Sequence, residues 1–416
     1  MRIIADLHIH SSYSRATSLD MGLDSLAQWA EKKGISLIGT GDFTHPAYFA
    51  SIEEKLEPAG PGLFVLKGHA NRPSAPRFML TAEVSNIFTQ GGRTRKIHNL
   101  IFSPTLKAAR KMNAAFAARG NVASDGRPIF GFSAKELIKI VLDASTDAML
   151  VPAHAWTPWF SIFGSKSGFD SIEECFGEFA GHIHAIETGL SSNPQMNWRL
   201  SALDKIALLS NSDAHSPSKL GREANVFDCA LDYYEITGAI KKRDKKKFLY
   251  TIEFFPEEGK YHSDGHRACG VRLEPAQTRK LSGVCPACGK GLTVGVLSRI
   301  EDLSDRPVGF TPPDAIPAKQ LVPLQEIIAE SIGAGVATVK VQREYTRLLS
   351  MHTEFSYLLD MDKDTLTQTT GARLATAIMK VRSSDISISP GYDGEFGKIS
   401  IFGGKKPKDA GAGLFD

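Results

Sequence analysis

The sequence has 416 residues, more than a single hydrophobic core usually accommodates, so we expect two or three domains. Hydrophobic residues make up 42% of the chain and charged residues 23%, which is typical of a folded globular protein and excludes a largely disordered or fibrous chain. The formal net charge of +3 is too small to indicate a polyanionic partner, so any indication of nucleic acid must come from local clusters.

The chain opens with the strand-like run Met1-Arg2-Ile3-Ile4-Ala5-Asp6, which lacks the charged start and long apolar stretch of an export signal. The longest apolar runs, such as residues 148–153, are far shorter than the roughly 20 residues that span a bilayer. We therefore expect a cytoplasmic protein that does not associate with membranes.

Seven short β-type runs recur in the first half of the chain, and amphipathic segments such as residues 22–33 and 133–143 lie between them. Repeated strand and helix units of this kind predict an α/β fold with a parallel sheet or barrel. The seven runs cover residues 2–7, 35–39, 78–84, 97–102, 149–153, 183–186 and 206–209.

Histidines and carboxylates follow these runs at the points where the strands end. In a barrel of parallel strands the carboxyl ends converge on one face, so side chains at these positions would share a cleft. His98 is the exception, because it starts its run. The residues at strand ends are His8, His10, Asp42, Glu83, His154, Glu187, Asp213 and His215.

A metal centre is the simplest explanation for this pattern. The period of two along a strand places the imidazoles of His8 and His10 on the same side. Alone, such a pair is a weak indication, since each histidine could be an ordinary hydrogen-bonded side chain. Collecting several histidines and carboxylates in one cleft is costly without a cation, so the full set predicts divalent metal.

Five motifs resemble those of the PHP (polymerase and histidinol phosphatase) phosphoesterases, in the order that the family has them. The resemblance covers about residues 1–235 and implies a distorted seven-stranded β/α barrel with two or three divalent metals, Zn, Mn, Mg or Fe. The motifs are Asp6-Leu7-His8-Ile9-His10-Ser11, Gly39-Thr40-Gly41-Asp42, Thr81-Ala82-Glu83, Pro152-Ala153-His154 and Ser212-Asp213-Ala214-His215.

The resemblance also implies roles for the catalytic residues. His8, His10, Glu83 and Asp213 would hold a first metal, and Glu83 would bridge to a second metal held by His98 and His154. His215 would belong to a third metal, for which Asp42, with or without His45, is a further candidate. No histidine stands in the stretch 11–15, where many family members have one, so the third metal could also be absent.

Two arginines are candidates for clamping a phosphate near the metals. Arg15 lies in the stretch after His10, and Arg222 lies between Gly221 and Glu223. Arginine matches phosphate through its planar fork of donors, but it forms structural ion pairs equally well. Both interpretations stay open from the sequence.

A second metal site is predicted by the pattern His266-x-x-Cys269-Gly270 followed by Cys285-x-x-Cys288-Gly289. This is the spacing of a zinc ribbon with one histidine ligand. Four protein ligands fill a tetrahedral site and leave no open position, so the zinc would be structural. His262 competes with His266 for the histidine position. The remaining cysteines, Cys175 and Cys229, are expected to be reduced thiols.

A basic run precedes the zinc motif. Such a run is often only a solvated surface, but beside a phosphoesterase centre it is a candidate contact for the DNA backbone. It consists of Lys241, Lys242, Arg243, Lys245, Lys246 and Lys247.

The pattern of composition divides the chain into four parts. We predict a PHP domain over residues 1–240, a basic linker and zinc-binding module over 241–312, and a mainly helical C-terminal domain that contacts DNA over 313–402. Residues 403–416 are predicted to be a flexible tail.

This order of parts resembles the endonuclease Q family. Matching motifs are Tyr261-His262-x-Asp264-Gly265-His266-x-x-Cys269, Cys285-Pro286-x-Cys288-Gly289 and Pro390-Gly391-Tyr392-Asp393-Gly394-Glu395-Phe396-Gly397. The resemblance implies a DNA-repair endonuclease that uses a metal-activated water to cleave 5′ to deaminated bases (uracil, hypoxanthine, xanthine) or abasic sites. Damaged DNA would then be the partner of a nucleoid-associated monomer. A sliding clamp is a further candidate partner, although the sequence near the C-terminus has no clear clamp-binding peptide and only a short apolar end, Leu414-Phe415.

A damaged base must leave the duplex to be read, so an aromatic-rich cleft is expected. Residues 154–160, residues 193–198 and Tyr392 are candidates for contacting DNA. Two alternatives remain: a PHP phosphatase acting on a small phosphate monoester, and a DNA-binding scaffold with a relict metal site. The zinc motif speaks against the first, and the near-complete ligand set speaks against the second.

Overall fold

The fold is built around a mixed β-sheet, which a computed structural model describes together with the rest of residues 1–403. Residues 404–416 of the predicted flexible tail (403–416), which include the apolar pair Leu414-Phe415, lie outside the described residues. The strands are β1 (Arg2–Asp6), β2 (Leu37–Gly39), β3 (Leu56–Pro58), β4 (Leu63–Leu66), β5 (Arg77–Gln90), β6 (Arg93–Ser103), β7 (Ile129–Phe130), β8 (Met149–Pro152), β9 (Ala185–Glu187), β10 (Ala207–Leu209), β11 (Ala224–Asp228), β12 (Phe248–Glu253), β13 (Asp264–His266), β14 (Val271–Leu273), β15 (Ala318–Gln320), β16 (Ser387–Ser389) and β17 (Lys398–Ser400).

Helices follow most of the strands in the first half of the chain and dominate its last quarter. Local sequence explains their ends: Ser133 caps the helix after it by accepting a hydrogen bond from the backbone N–H of Glu136, and that helix buries an apolar face. The helices are α1 (Leu23–Lys33), α2 (Pro46–Lys55), α3 (Leu106–Ala117), α4 (Ala134–Ala144), α5 (Ile172–Phe176), α6 (Pro194–Asn197), α7 (Tyr233–Lys242), α8 (Pro275–Lys280), α9 (Val296–Leu303), α10 (Leu324–Ile332), α11 (Val339–Leu349), α12 (Lys363–Thr370) and α13 (Ala372–Arg382).

All seven β-type runs predicted from the sequence are strands, β1, β2, β5, β6, β8, β9 and β10. The sheet that contains most of them has eleven strands, and along its main path it runs β15-β12-β11-β1-β2-β5-β4-β3. Neighbours β1, β2 and β5 are parallel, whereas β11 is antiparallel to β1 and β6 is antiparallel to β5. The α/β class is therefore confirmed, with a sheet that is mixed rather than all parallel.

The long hairpin of β5 and β6 explains the unusual position of His98. Strand β6 runs antiparallel to β5. His98 lies in the middle of β6 and pairs with Ser85, two residues beyond Glu83 along β5. The next strand, β8, is antiparallel to β6 and ends beside Asn99. His98 therefore reaches the same end of the sheet as the ligands that follow their strands.

The main sheet continues beyond the boundary predicted at residue 240. Strand β12 lies within the predicted basic linker, yet it pairs with β11 and then with β15, which comes from the predicted C-terminal domain. This corrects the predicted division, because strands from three predicted parts share one sheet. A linear change of composition does not show which strands pair.

A buried ion pair fixes the helical C-terminal part to α1 in the first half of the chain. Lys33 at the end of α1 lies 3.0 Å from Glu354, and both side chains are almost fully buried. Glu354 also accepts hydrogen bonds from the Tyr345 hydroxyl and the Leu324 backbone. Among the described residues, no helix is long and apolar enough to cross a membrane.

Candidate metal centre

His8 and His10 lie just beyond the end of β1 and are buried, as the sequence pattern predicts. An isolated parallel bridge between Ile9 and Ala214 brings the segment after β10 next to them. The Asp213 Oδ1 atom consequently lies 3.5 Å from His8 Nε2 and 3.2 Å from His10 Nε2. These three side chains form one group of donor atoms within 4.8 Å of one another.

Glu83, His98 and His154 form a second such group. Glu83 Oε1 lies 2.8 Å from His98 Nδ1 and 3.2 Å from His154 Nε2. The other oxygen, Oε2, lies 3.2 Å from His10 Nε2, which belongs to the first group. Glu83 therefore faces both groups, which is the arrangement that a bridging carboxylate requires.

Several of these donor atoms are buried without a hydrogen-bond partner: His8 Nε2, His10 Nε2, His98 Nδ1 and Asp213 Oδ1. Polar atoms that are buried and unpaired are costly, and such atoms in a protein normally have an explanation. Imidazole nitrogens and carboxylate oxygens within a few ångströms of one another are the donor set of Zn, Mn and Fe sites. The residues present therefore fit divalent metal ions.

Carboxylates behind the two histidines fix the orientation of their rings. His8 Nδ1 lies 3.0 Å from Glu187 Oε2, and His10 Nδ1 lies 3.1 Å from Asp42 Oδ1. Each ring then presents its Nε2 atom to the cleft, which is how outer carboxylates usually orient metal-binding histidines. Glu187, one of the strand-end residues, supports the site from behind.

Asp42 was predicted as a metal ligand, but it belongs to neither donor group of the described residues. Besides contacting His10 through Oδ1, it accepts hydrogen bonds at Oδ2 from the Ser11 backbone (2.6 Å), the Ser11 hydroxyl (2.6 Å) and the Ser14 hydroxyl (2.9 Å). Both oxygens are thus engaged away from the donor groups. His45, its suggested companion, lies 3.1 Å from the Ala123 carbonyl instead.

His215 lies at the edge of the cleft and belongs to neither donor group. Its Nδ1 atom is 3.0 Å from the Asp213 carbonyl oxygen, and its ring centre is 4.5 Å from that of His10. Within residues 1–403, the cleft holds two groups of three donors, so a third metal would need ligands beyond those groups.

Sequence reasoning missed Arg127, whose guanidinium lies 2.9 Å from Glu83 Oε2. The charge of Glu83 raises the pKa of Arg127 further above its ordinary value. Asp125 holds this loop by accepting a hydrogen bond from the Arg127 backbone, and it pairs with Arg15 at 3.3 Å. Arg127 stands in a loop rather than at a strand end, so the strand-end pattern gave no signal for it.

The two arginines predicted to clamp phosphate have different surroundings. Arg15 is 78% exposed and reaches only Asp125. Arg222 donates to the backbone carbonyls of Ser212 and Asp213, which supports the turn that carries Asp213. Of these three arginines, Arg127 is the one whose guanidinium contacts the side chain of a predicted ligand.

A cavity of about 640 Å³ opens beside the donor groups. One wall comes from the segments after β8, β9 and β10, and the other from residues 258–261 and the loop at 396–397. Its lining residues include His154, Asp213, His215, Lys219, Arg222, Glu258, Lys260, Tyr261 and Phe396. A pocket of this size beside clustered ligands is the usual form of a small-molecule or nucleotide site.

Tyr392, predicted to contact DNA, is partly buried and packs against the zinc-motif region. It forms isolated bridges with Ser263 and Glu395, and its ring occupies the space where a side chain on Gly265 would stand. The exposed aromatic residue of this loop is Phe396, at 63% exposure on the edge of the cavity. The loop at 154–160 does reach the cavity, through His154 and Thr157.

The donor atoms of His266, Cys269, Cys285 and Cys288 lie within 4.8 Å of one another. The His266 Nδ1 atom is 3.4 Å from Cys288 Sγ. His262, the competing candidate, is buried outside this group. The structure therefore assigns the histidine position to His266, in the set that a closed tetrahedral zinc site uses.

The basic run at 241–247 is not brought to the cleft. The Lys247 carbonyl accepts a hydrogen bond from Asp228, and Asp228 pairs with Arg2 at the beginning of β1. His8 and His10 follow the opposite end of that strand. Lys247 also pairs with Glu235, and the Lys245 ammonium contacts the Pro313 carbonyl. A contact between this run and DNA would therefore have to lie away from the metal-ligand cleft.

We expect removal of charge from this run to leave DNA binding nearly unchanged. The triple substitution of the exposed Lys242, Lys245 and Lys246 by serine should alter KM for lesion DNA by less than about twofold, because these side chains lie at the end of β1 opposite to the metal-ligand cleft. Binding measured at several salt concentrations checks this. A fall in the logarithmic salt slope of about 0.9 per lysine would instead show direct phosphate contacts.

Two buried carboxylic acids lie behind the metal centre. Burial raises the pKa of Glu253 to about 8, and burial together with the charge of Glu253 raises that of Glu223. One oxygen of each has no hydrogen-bond partner, while Glu253 Oε2 accepts from the Thr188 hydroxyl. At neutral pH this pair therefore holds at least one proton.

Glu253→Gln should stabilise the protein at alkaline pH. The folded pKa lies above the ordinary value of 4.5, so folding binds a proton and stability falls as pH rises from about 4.5 to about 8. The variant should raise Tm at pH 8 on the order of 2–4 °C and change it little at pH 5. Calorimetry checks this against Glu54→Gln, an exposed carboxylate expected to show no such dependence.

Several known proteins have sequences or structures related to this chain. Residues 323–385 match the family model described as the MJ0043 C-terminal domain. The chain is 30% identical to the uncharacterized protein YqxK of Bacillus subtilis over 411 residues, which covers 96% of this chain and 99% of that protein.

Two solved structures are also similar. One is the lesion-specific endonuclease PfuEndoQ from Pyrococcus furiosus, with 32% identity, a TM-score of 0.85 and coverage of 97% of this chain and 98% of that one. The other is an endonuclease Q complex with a 27-mer duplex that has an abasic lesion at the active site, with 32% identity, a TM-score of 0.85 and coverage of 99% and 100%.

Proposed function

This chain belongs to the endonuclease Q family, and we propose that it is a metal-dependent DNA-repair endonuclease that cleaves the phosphodiester bond 5′ to a deaminated base or an abasic site. One observation carries the proposal. The two donor groups that Glu83 faces open directly into a cavity of about 640 Å³, so a phosphate at the metals would place the attached nucleoside within that cavity.

His8, His10 and Asp213 would hold one metal, and His98 and His154 the other, with Glu83 between them. Bound divalent ions supply an activated water and stabilise the negative charge that develops on the phosphate. The chain itself fixes the imidazoles through outer carboxylates and excludes water from the buried donors. The Arg127 guanidinium, 2.9 Å from Glu83 Oε2, would lie beside the metals, where it could also donate to a phosphate oxygen.

Hydrogen-bond donors in the cavity suit the lesions. Deamination replaces the amino donor of cytosine or adenine by a carbonyl acceptor, so a pocket that offers donors favours the damaged base. Lys219 and Lys260 line the cavity. Burial raises the pKa of Glu258 to about 9, so its carboxyl is protonated at neutral pH and can also donate. An abasic nucleotide enters the same cavity without a base to read.

The C-terminal domain is the part that we propose contacts the flanking duplex. A groove between α10, α11 and the start of α13 carries Lys340, Arg343 and Arg373. Basic side chains along such a groove suit the phosphate backbone. The zinc-motif region, in turn, contributes support for the cavity wall rather than a reacting group.

The experiment is incision of end-labelled duplexes that carry one uracil, one hypoxanthine, one abasic site or no lesion, with Mg, Mn or Zn added. We expect nicks only in the lesion strand, at the bond 5′ to the lesion. Equal nicking of the undamaged duplex, or phosphate release from small monoesters with no nicking, would overturn the proposal. The second outcome would favour the phosphatase alternative.

A further inference from the structure

Phe396 is a large apolar side chain in an unusual place. It is 63% exposed, and it lies at the edge of the cavity that opens beside the metal-ligand groups. A single exposed aromatic residue on a protein surface needs no explanation. An exposed aromatic residue at the edge of a nucleotide-sized cavity does need an explanation, because it would lie beside any nucleotide that entered the cavity.

The loop that carries Phe396 is held on both sides of it. Gly391 and Gly397 donate backbone hydrogen bonds to the carbonyls of Glu257 (2.7 Å) and Glu258 (3.0 Å), and Gly394 donates to that of Lys260 (2.8 Å). A side chain at Gly397 would stand 2.2 Å from the Glu257 carbonyl oxygen, so this close approach requires glycine.

Asp393 anchors the tip of the same loop. Its carboxylate accepts hydrogen bonds from the Arg267 backbone and the Thr293 hydroxyl, both at 2.6 Å. The loop is therefore tied to the zinc-motif region as well as to the cavity wall. These hydrogen bonds hold the backbone of the loop, and so they fix the position from which the Phe396 ring projects.

Positive charge and further aromatic rings surround this position. The Lys260 ammonium lies 5.8 Å from the centre of the Phe396 ring and 5.5 Å from that of Tyr261. Tyr261 meets the partly exposed Trp159 edge to face, with ring centres 5.7 Å apart. Aromatic faces next to a lysine are the combination that stacks bases and contacts phosphate.

We propose that Phe396 inserts into the duplex at the place that the extruded nucleotide vacates, while Lys260 contacts the backbone beside it. Extruding a nucleotide breaks its stacking with both neighbours, and an apolar ring placed in the gap offsets that loss. This inference rests on the proposed endonuclease function, which it deepens by assigning the residue that stabilises the open duplex.

The test compares Phe396→Ala with the wild-type protein on a uracil in a paired duplex and on the same uracil in an unpaired bubble. The ratio of kcat/KM on the duplex to that on the bubble should fall about tenfold, since only the paired substrate must be opened. Phe396→Leu keeps an apolar side chain, so its ratio should lie between those of the wild-type protein and Phe396→Ala. Tyr234→Ala, an exposed aromatic residue on α7, is the matched control and should leave the ratio unchanged.

A second measurement does not depend on cleavage. With 2-aminopurine next to the uracil and no metal added, wild-type binding should raise the fluorescence as the neighbouring base loses its stacking partner, and Phe396→Ala should reduce that rise. Equal losses on duplex and bubble, or an unchanged ratio in a folded variant, would overturn the inference. Failure of the wild-type protein to incise any lesion substrate would instead overturn the proposed function.

Discussion

Asp213→Asn is expected to lower kcat for lesion incision by about a thousandfold. Asp213 supplies the only carboxylate of the first donor group, with Oδ1 at 3.2 Å from His10 Nε2 and 3.5 Å from His8 Nε2. Asparagine keeps the shape and tolerates the left-handed backbone at this position, where φ is +47°, so the fold should persist. What changes is the charge that a cation at the site requires.

Metal content and incision should be measured on the same preparations. We expect Asp213→Asn to lose about one equivalent of bound metal, with an unchanged circular dichroism spectrum. Asp42→Asn is the matched comparison, because Asp42 orients His10 from behind, and its effect should be smaller, about 10- to 100-fold. An Asp213→Asn protein with full metal content and normal nicking would show that the cation lies elsewhere.

The sequence located most of the site because most of its ligands follow strands; Glu83 and His98 lie within β5 and β6. The strand-end pattern pointed to His8, His10, Glu83, His154 and Asp213, and the structure places these side chains around one cleft. Asp42 also follows a strand. The direction of its side chain, however, decides whether it points into the cleft or contacts the ligand His10 from behind. That direction depends on Ser11 and Ser14, whose hydrogen bonds to Asp42 no periodicity shows.

Tertiary pairing explains what sequence reasoning did not reach. In the sequence His98 starts a β-type run rather than ending one, but the antiparallel hairpin of β5 and β6 brings it beside Ser85, close to Glu83. The basic run precedes the zinc motif in sequence, but it joins the main sheet at the start of β12, at the end of β1 opposite to His8 and His10. Arg127 and Phe396 lie in loops whose positions are set by contacts with distant segments, so their roles became visible only with the fold.

Cys285→Ser should also strongly reduce incision of lesion DNA. The reason is that it disturbs the zinc-motif region that supports the cavity wall, and not the metal ligands around Glu83. Cys285 is buried at 1% exposure, and its sulfur is one of four donors that suit zinc. Structural zinc contributes about 10–16 kcal/mol to the folding of isolated zinc-binding peptides, so loss of one ligand should unfold this module locally. The module anchors the loop of Phe396 through Asp393.

The expected signature separates the two metal sites. Cys285→Ser should lose about one zinc equivalent, become sensitive to protease near residues 266–288, and lose incision of paired lesion DNA by at least about tenfold. Hydrolysis of a small chromogenic phosphodiester should persist, because the donors around Glu83 are contributed by other strands. Cys229→Ser, a thiol outside both sites, should change none of these. If the small ester and the lesion duplex were lost together, the zinc module would be supporting the metal centre itself rather than the entrance for DNA.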